Sequence, residues 1–208
     1  MHRRAGIVVP VLVALAVFGC KKAPEPTNKV GPSLIPQSKA SGQASPAAHT
    51  PLPSQVTWVD PPEWKRTERG SSMRKATYVI PHAVGEKEDA ELGVFYFGPG
   101  QGGAVEANVD RWVKQFPDAK LEDVKRADRS SNGLVTHTVE IESASFAAGA
   151  MGMPPKPDAK LKGGYALLGA IVETPGGPYF FKLTGPKATV AAAKATFYKL
   201  LDSVKLPS

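Results

Sequence analysis

Apolar and polar positions alternate in several short runs between residues 56 and 184, a pattern typical of β-strands with one side-chain set on each face. Longer strands are predicted at residues 73–80, 91–97, 134–142, 164–173 and 179–184, and shorter or weaker ones at 56–59, 64–67 and 121–126. The run 91–97 is apolar on both faces, so we expect it at the centre of a sheet that is covered twice.

Two other runs carry apolar side chains at helical spacing. The first run covers residues 104–116 and ends before Pro117. One side of this predicted helix carries Val105, Val109, Trp112, Val113 and Phe116. The second, residues 187–204, is predicted to bury Val190, Ala193, Phe197, Leu200, Leu201 and Val204. Six or seven strands in consecutive hairpins with two helices predict an α+β fold, in which the helices pack on an antiparallel sheet.

His137 is the one histidine predicted to face inward. It shares its face of strand 134–142 with Val135, Val139 and Ile141, whereas the residues predicted to point outward are Thr136, Thr138, Glu140 and Glu142. A hydrogen-bonded core histidine is favoured over a site residue, although His82 could lie near it. No cysteine or carboxylate stands at ligand spacing, so zinc binding and serine–histidine catalysis lack their parts.

The first twenty residues combine a basic start with an apolar stretch. Arg3 and Arg4 precede residues 5–18, which carry no charge and are too few to span a bilayer as a helix. The stretch ends in Val17-Phe18-Gly19-Cys20, which resembles the lipobox of bacterial lipoproteins. That resemblance implies that residues 1–19 are a signal peptide and that an acylated Cys20 anchors the chain to a membrane outside the cytoplasm. Lys21 after the cysteine favours the outer membrane if the host has two.

Residues 20–54 are rich in Pro, Ser, Ala and Lys and contain no aromatic residue. They are predicted to be a disordered tether before a single domain, residues 55–208. Of the formal charge of +7, the signal peptide holds two arginines and the tether three net positive charges, which leaves +2 on the domain. A nucleic-acid partner is therefore not expected. Cys20 is the only cysteine, which excludes a disulfide framework.

The closing strand, the Gly185-Pro186 turn and the helix ending in Phe197-Tyr198-Lys199-Leu200-Leu201-Asp202-Ser203-Val204 resemble the photosystem II extrinsic subunit P (PsbP-like) superfamily. The resemblance covers residues 56–206 and implies an α/β/α sandwich with a role in binding and assembly rather than catalysis. Two further motifs, Ser72-Met73-Arg74-x-Ala76 and Asn108-x-x-Arg111-Trp112-x-x-Gln115-Phe116, resemble uncharacterised exported bacterial proteins. Neither resemblance implies a catalytic residue.

A glycine-rich turn, Gly98-Pro99-Gly100-Gln101-Gly102-Gly103, fits the pattern G-x-G-x-x-G between a predicted strand and a helix, and Asp123 follows about twenty residues later. In a βαβ unit such a turn binds the pyrophosphate of a dinucleotide. Hairpin order and the polar segment around Asp123 weigh against that interpretation. A flexible turn is favoured, and binding of another anion at the helix end is the alternative.

Three other pairs of side chains are candidates. Glu140 and Glu142 have a spacing near that of glycosidase carboxylates, but a polar face without aromatic residues favours a solvated strand end. Met151 and Met153 in the loop 147–162 offer soft sulfur ligands for Cu(I), although a flap that docks a partner is favoured. Asn108 and Arg111 lie on the flank of the first helix, where Arg111 is either ion-paired or exposed for binding.

The sequence thus predicts a membrane-anchored, non-catalytic lipoprotein whose domain binds a protein or an envelope component. No cofactor or metal is predicted. The alternative is a small-ligand or anion-binding protein, or an enzyme, with a site near residues 98–103 and the loop 147–162. The candidate binding residues are Gly98, Gly100, Gly103, Asn108, Arg111, Met151 and Met153.

Overall fold

The computed structural model describes residues 55–67, 71–148 and 159–207 of the chain. Cys20, the predicted signal peptide and the predicted tether lie outside the described residues, as do Met151 and Met153. Among the helices that are described, none has both the length and the apolar character needed to cross a membrane.

The described residues form one antiparallel sheet of seven strands. In chain order the strands are β1 (Lys65–Thr67), β2 (Arg74–Ile80), β3 (Ala90–Tyr96), β4 (Val124–Ser131), β5 (Leu134–Ala147), β6 (Leu161–Val172) and β7 (Tyr179–Pro186). In space the order is β1-β2-β3-β7-β6-β5-β4, so the last strand lies in the middle of the sheet. The prediction of a buried strand at 91–97 is confirmed, because β3 lies between β2 and β7 and is buried on both faces.

Helices α1 (Val105–Val113) and α2 (Lys187–Asp202) pack on opposite faces of the sheet. Val109 and Trp112 of α1 cluster with Ile171 and Phe180. Phe197 of α2 clusters with Ala170 and Phe181, which point to the other face of the sheet. The predicted α+β fold, an α/β/α sandwich, is confirmed.

Several element limits differ from the prediction. The weak strand predicted at 121–126 is replaced by β4, which begins at Val124 and ends at Ser131. Strand β5 ends later than predicted, at Ala147, and β6 begins earlier than predicted, at Leu161. In place of a strand at 56–59 there is a single bridge, in which the backbones of Thr57 and Lys205 exchange two hydrogen bonds of 2.9 Å.

The outward direction predicted for Thr136 and Thr138 is wrong, because both are 4% exposed. The alternation along β5 is real, but the sheet has helices on both faces, so a polar set can also be covered. The hydroxyl group of the buried Thr138 is satisfied, because it donates a hydrogen bond of 2.8 Å to the carbonyl of Ala127. Val135, predicted to point inward, is 41% exposed and does not belong to the cluster under α1.

Candidate functional site

Helix α1 is short and covers only part of its face of the sheet. Its Val109 and Trp112, together with Phe116 just after the helix, pack over β5 and β6, and the same face of β2, β3 and β7 is left partly open. A groove with a volume of about 310 Å³ lies there. We call it the Lys182 groove, and it is lined by Arg74, Glu88, Asp89, Glu91, Gly93, Phe95, Phe146, Lys162, Tyr165, Lys182 and Thr184.

Two glycines flank Lys182 in the sheet. Gly93 of β3 and Gly169 of β6 lie directly opposite Lys182 on its two sides. A Cβ atom at Gly93 would lie 2.6 Å from Cε2 of Phe95, and one at Gly169 would lie 2.5 Å from Cζ3 of Trp112. The missing side chains therefore leave space for these two aromatic rings.

The Lys182 ammonium has an unusual partner. Nζ donates a hydrogen bond to Oε1 of Gln115, a neutral amide that is 2% exposed. Nζ also lies 5.6 Å from the centre of the Phe146 ring, within cation–π distance. Among the described residues, Lys182 forms no ion pair with a carboxylate.

Burial lowers the pKa of Lys182 to about 8, because the charged form loses hydration. Glu91 opposes this change and Arg74 adds to it. Since a pKa of about 8 is above neutral pH, Lys182 is still protonated in most molecules at pH 7.

The carboxylates of the groove accept hydrogen bonds from basic side chains. Nη1 of Arg74 donates to Oε1 of Glu91 at 2.9 Å, and Lys162 pairs with Glu88. Asp89 accepts from Nδ1 of His82 at 2.8 Å. Hydrogen bonds from Lys162 to Glu88, and from His82 to Asp89, lower the pKa values of these two carboxyl groups. Both therefore remain ionised at neutral pH.

The groove joins the two motifs that resemble exported bacterial proteins. Arg74 belongs to the first motif and Gln115 to the second, and both approach Lys182. Sequence reasoning did not single out Lys182. The available signal was its position as the one charged residue in the otherwise apolar and small run 179–186.

Asn108 fixes the glycine-rich turn. The backbone φ is positive at Gly98, Gly100, Gly102 and Gly103. Nδ2 of Asn108 donates to the carbonyls of Gly102 and Ala104 at 2.7 and 2.9 Å.

Arg111, the other candidate on α1, is half-buried, and its Nη1 donates to Oδ1 of Asn108 at 2.7 Å. Asn108 and Arg111 therefore have structural contacts in the turn and the helix.

The dinucleotide interpretation of this turn is wrong. The neighbours of β3 are both antiparallel to it, so the turn does not belong to a βαβ unit. Asp123 is exposed just before β4, an edge strand.

The structure does not bring the glycine turn and the loop 147–162 together. The turn precedes α1, whereas Ala147 lies past the other end of this helix, where its N–H donates to the carbonyl of Gln115 at 2.8 Å. The described ends of the loop are thus at the opposite end of the sheet from Gly98 and Gly103.

His137 contacts carboxylates on both sides. Nδ1 lies 2.8 Å from Asp128, and Nε2 lies 3.3 Å from Oε1 of Glu173. Burial opposes protonation, but the two carboxylates prevail and raise the pKa of His137. His82 is at the far end of β2, across the sheet, so its predicted proximity to His137 is wrong.

Glu140 and Glu142 each pair with a lysine. Glu140, whose side chain is 13% exposed, accepts from Nζ of Lys194 at 2.6 Å and from Oη of Tyr198 at 2.5 Å. Glu142 is exposed and pairs with Lys125. The prediction that these two glutamates lie at a solvated strand end is therefore right for Glu142 only, because α2 covers Glu140.

No protein-family model and no curated protein matches the chain. Among solved structures, a protein of unknown function from Pseudomonas aeruginosa is similar at 15% identity, with a TM-score of 0.44 and coverage of 71% of this chain and 94% of that one. The cyanobacterial PsbP protein, CyanoP, from Synechocystis sp. PCC 6803 is similar at 14% identity, with a TM-score of 0.44 and coverage of 74% and 88%.

Proposed function

We propose that the chain is a membrane-anchored lipoprotein whose domain binds a protein or an envelope component outside the cytoplasm, without catalysis, through the Lys182 groove. The observation that carries this proposal is Lys182 itself. Its half-buried ammonium faces an open groove and has a neutral amide as its hydrogen-bond partner. A charge that is partly dehydrated in the free protein gains more from an incoming partner than a solvated one does.

The composition of the groove supports a binding role. Phe95, Phe146 and Tyr165 contribute aromatic surface beside the charges of Arg74 and Lys182. Aromatic and arginine side chains are enriched among the residues that dominate binding energy at interfaces.

The protonation states of the groove support a binding role. The carboxyl groups of Glu88 and Asp89 have lowered pKa values, so both supply negative charges at pH 7. Lys182 is mostly protonated at pH 7 and supplies a positive charge.

Cys20→Ser tests the membrane anchor. The variant should remain unprocessed or appear in the soluble fraction, because the thiol is the proposed acceptor of the lipid. Lys22→Ser is the matched control and should stay membrane-bound. A Cys20→Ser chain that is still cleaved after Gly19 and still requires detergent would contradict the anchor.

Photocrosslinking tests the binding surface. A photoreactive residue replaces Glu88 on the groove rim or, as a control, Lys125 on the outer edge strand, in cells that carry the full chain. The Glu88 position should give a specific adduct that Lys125 does not give and that Lys182→Met removes. The proposal would be contradicted if both positions gave the same adducts. It would also be contradicted if the Glu88 position gave no more adduct than the same position in a Cys20→Ser chain.

A further inference from the structure

The cations that line the described part of the Lys182 groove differ in their hydrogen-bond partners. Arg74 is paired with Glu91, and Lys162 with Glu88. Within the described part of the groove, Lys182 is the cation whose hydrogen-bond acceptor is an uncharged amide. A ligand with a single negative charge would give this ammonium a stronger, charge-assisted hydrogen bond.

The same arrangement disfavours a doubly charged anion such as phosphate. Glu88, Asp89 and Glu91 line the groove and would repel a second negative charge. Arg74 and Lys162, which could compensate for it, already hold carboxylates. A planar carboxylate with one charge matches the Lys182 ammonium, whose hydrogen-bond acceptor in the described groove is a neutral amide.

The walls beside Lys182 are aromatic. The Phe146 ring lies under Nζ and stacks on Tyr165, with ring centres 5.4 Å apart and planes 3° from parallel. Across the groove, the Phe95 ring lies 4.7 Å from Cζ of Arg74. The volume of about 310 Å³ suits a small group, at the lower end of known ligand sites.

We propose that the Lys182 groove binds a monocarboxylate with a flat apolar body, whose carboxylate accepts a hydrogen bond from Nζ of Lys182 while the body lies against Phe146 and Phe95. This inference rests on the proposed function, because it names the chemistry recognised at the same groove. Such a group occurs both in free aromatic acids and at the C-terminus of a polypeptide that ends in phenylalanine.

Calorimetric titration of the full chain in detergent, at pH 7, tests the proposal with matched probes. Benzoate represents the free acid and N-acetylphenylalanine represents a chain terminus, while benzamide and N-acetylphenylalaninamide are their uncharged analogues. At least one carboxylate should bind at least tenfold more tightly than its amide, and the tighter carboxylate identifies the source. Equal binding of acids and amides, or tighter binding of inorganic phosphate, would overturn the proposal.

Substitutions locate the binding to the lysine. Lys182→Met should weaken binding of the tighter carboxylate at least tenfold, whereas Lys125→Met, on the edge strand, should leave it unchanged. An equal effect of both substitutions would overturn the assignment.

A pH series on the wild-type chain gives an answer even where Lys182→Met does not fold. The charged and titratable groups that line the groove around Lys182 are Arg74 from β2, Glu88 and Asp89 before β3, Glu91 from β3, and Lys162 and Tyr165 from β6. The pKa values of Glu88 and Asp89 are lowered, away from this pH range, and those of Lys162 and Tyr165 are raised. Affinity should therefore fall severalfold between pH 7 and pH 9.5 as Lys182 loses its proton. A flat profile would overturn the role of Lys182.

The proposed function and the ligand class can fail separately. If no probe binds but the Glu88 crosslink persists and depends on Lys182, the ligand class is wrong and the binding surface stands. If benzoate binds but no specific crosslink forms, the groove is a small-molecule site and the envelope-partner role is wrong.

Discussion

The indole ring of Trp112 lies directly over Gly169, where a Cβ atom would approach Cζ3 of the ring to 2.5 Å. Trp112 is the largest fully buried side chain of the described domain, and Gly169 lies on β6 beneath it. Helix α1 can therefore pack this closely on the sheet only because residue 169 has no side chain.

Gly169→Ala should lower the free energy of unfolding by about 1–3 kcal/mol, because the added methyl group overpacks the α1 interface. Gly163→Ala is the matched control on the same strand, since a Cβ there meets no atom within 4 Å. It should change stability by less than about 0.5 kcal/mol. Chemical denaturation monitored by tryptophan fluorescence would measure both, and equal effects would contradict this packing.

Trp112→Ala should lower the free energy of unfolding by about 3–5 kcal/mol, since it removes a side chain that is 1% exposed. Arg111→Ala should cost far less, because that residue is half-buried and loses mainly its hydrogen bond to Asn108. Thermal unfolding of the two variants compares them. A stable Trp112→Ala domain that no longer binds its partner would place this surface at an interface instead.

The stability of the wild-type chain relative to Lys182→Met should rise with pH between about 8 and 10.5, the folded and ordinary pKa values of Lys182. In that window the unfolded chain holds a proton on Lys182 that the folded chain has released, so higher pH favours the folded state. The rise should amount to roughly 1–3 kcal/mol. Below pH 8 both states are protonated, and the difference should be constant.

Guanidinium denaturation of both chains at pH 7 and pH 10 measures this change. The comparison with Lys182→Met removes the contribution of other titrating groups. A difference that stays constant, or that moves in favour of the variant at pH 10, would show that Lys182 is well hydrated in the folded protein.

The pKa of His137 should exceed the ordinary value of 6.5 in the folded protein, because Asp128 and Glu173 stabilise the imidazolium. The stabilisation is fully present below pH 6.5 and is lost as the pH rises through the folded pKa. Asp128→Asn should move the pKa down. Titration of the imidazole proton resonances by nuclear magnetic resonance would detect the shift, and a pKa that ignores the substitution would leave Glu173 as the source.

Much of the fold could be predicted because periodicity records which faces are covered. The spacing of Phe197, Leu200 and Leu201 predicts the buried face of α2, and all three are buried. Periodicity alone does not say that a threonine face is also covered, so it wrongly predicts that Thr136 and Thr138 face solvent. Their burial depends on α2, which is far along the chain and returns over β5.

The Lys182 groove could not be predicted from local patterns. Arg74, Gln115 and Lys182 come from separate parts of the chain. The β2–β3 and β3–β7 pairings bring Arg74 to Lys182, and the segment after α1 brings Gln115. The glycine turn, in contrast, has a strong local pattern, but its sheet context is antiparallel, and Asn108 occupies its carbonyls. A pattern predicts a ligand site only when the neighbouring strands supply the required geometry.

The bridge between Thr57 and Lys205 is the first backbone pairing that a pulling force on the start of the domain would reach. Both residues lie at the end of the sheet where α2 finishes, whereas Glu88 and Lys162 mark the rim of the groove at the opposite end. If the domain hangs from its first residues, the groove is at the end farthest from the point of suspension. Tension on residue 55 would pull first on two backbone hydrogen bonds and not on the ladder of the sheet. A fluorescent protein fused after Pro207 would lie near this bridge, at the end of the sheet away from the groove.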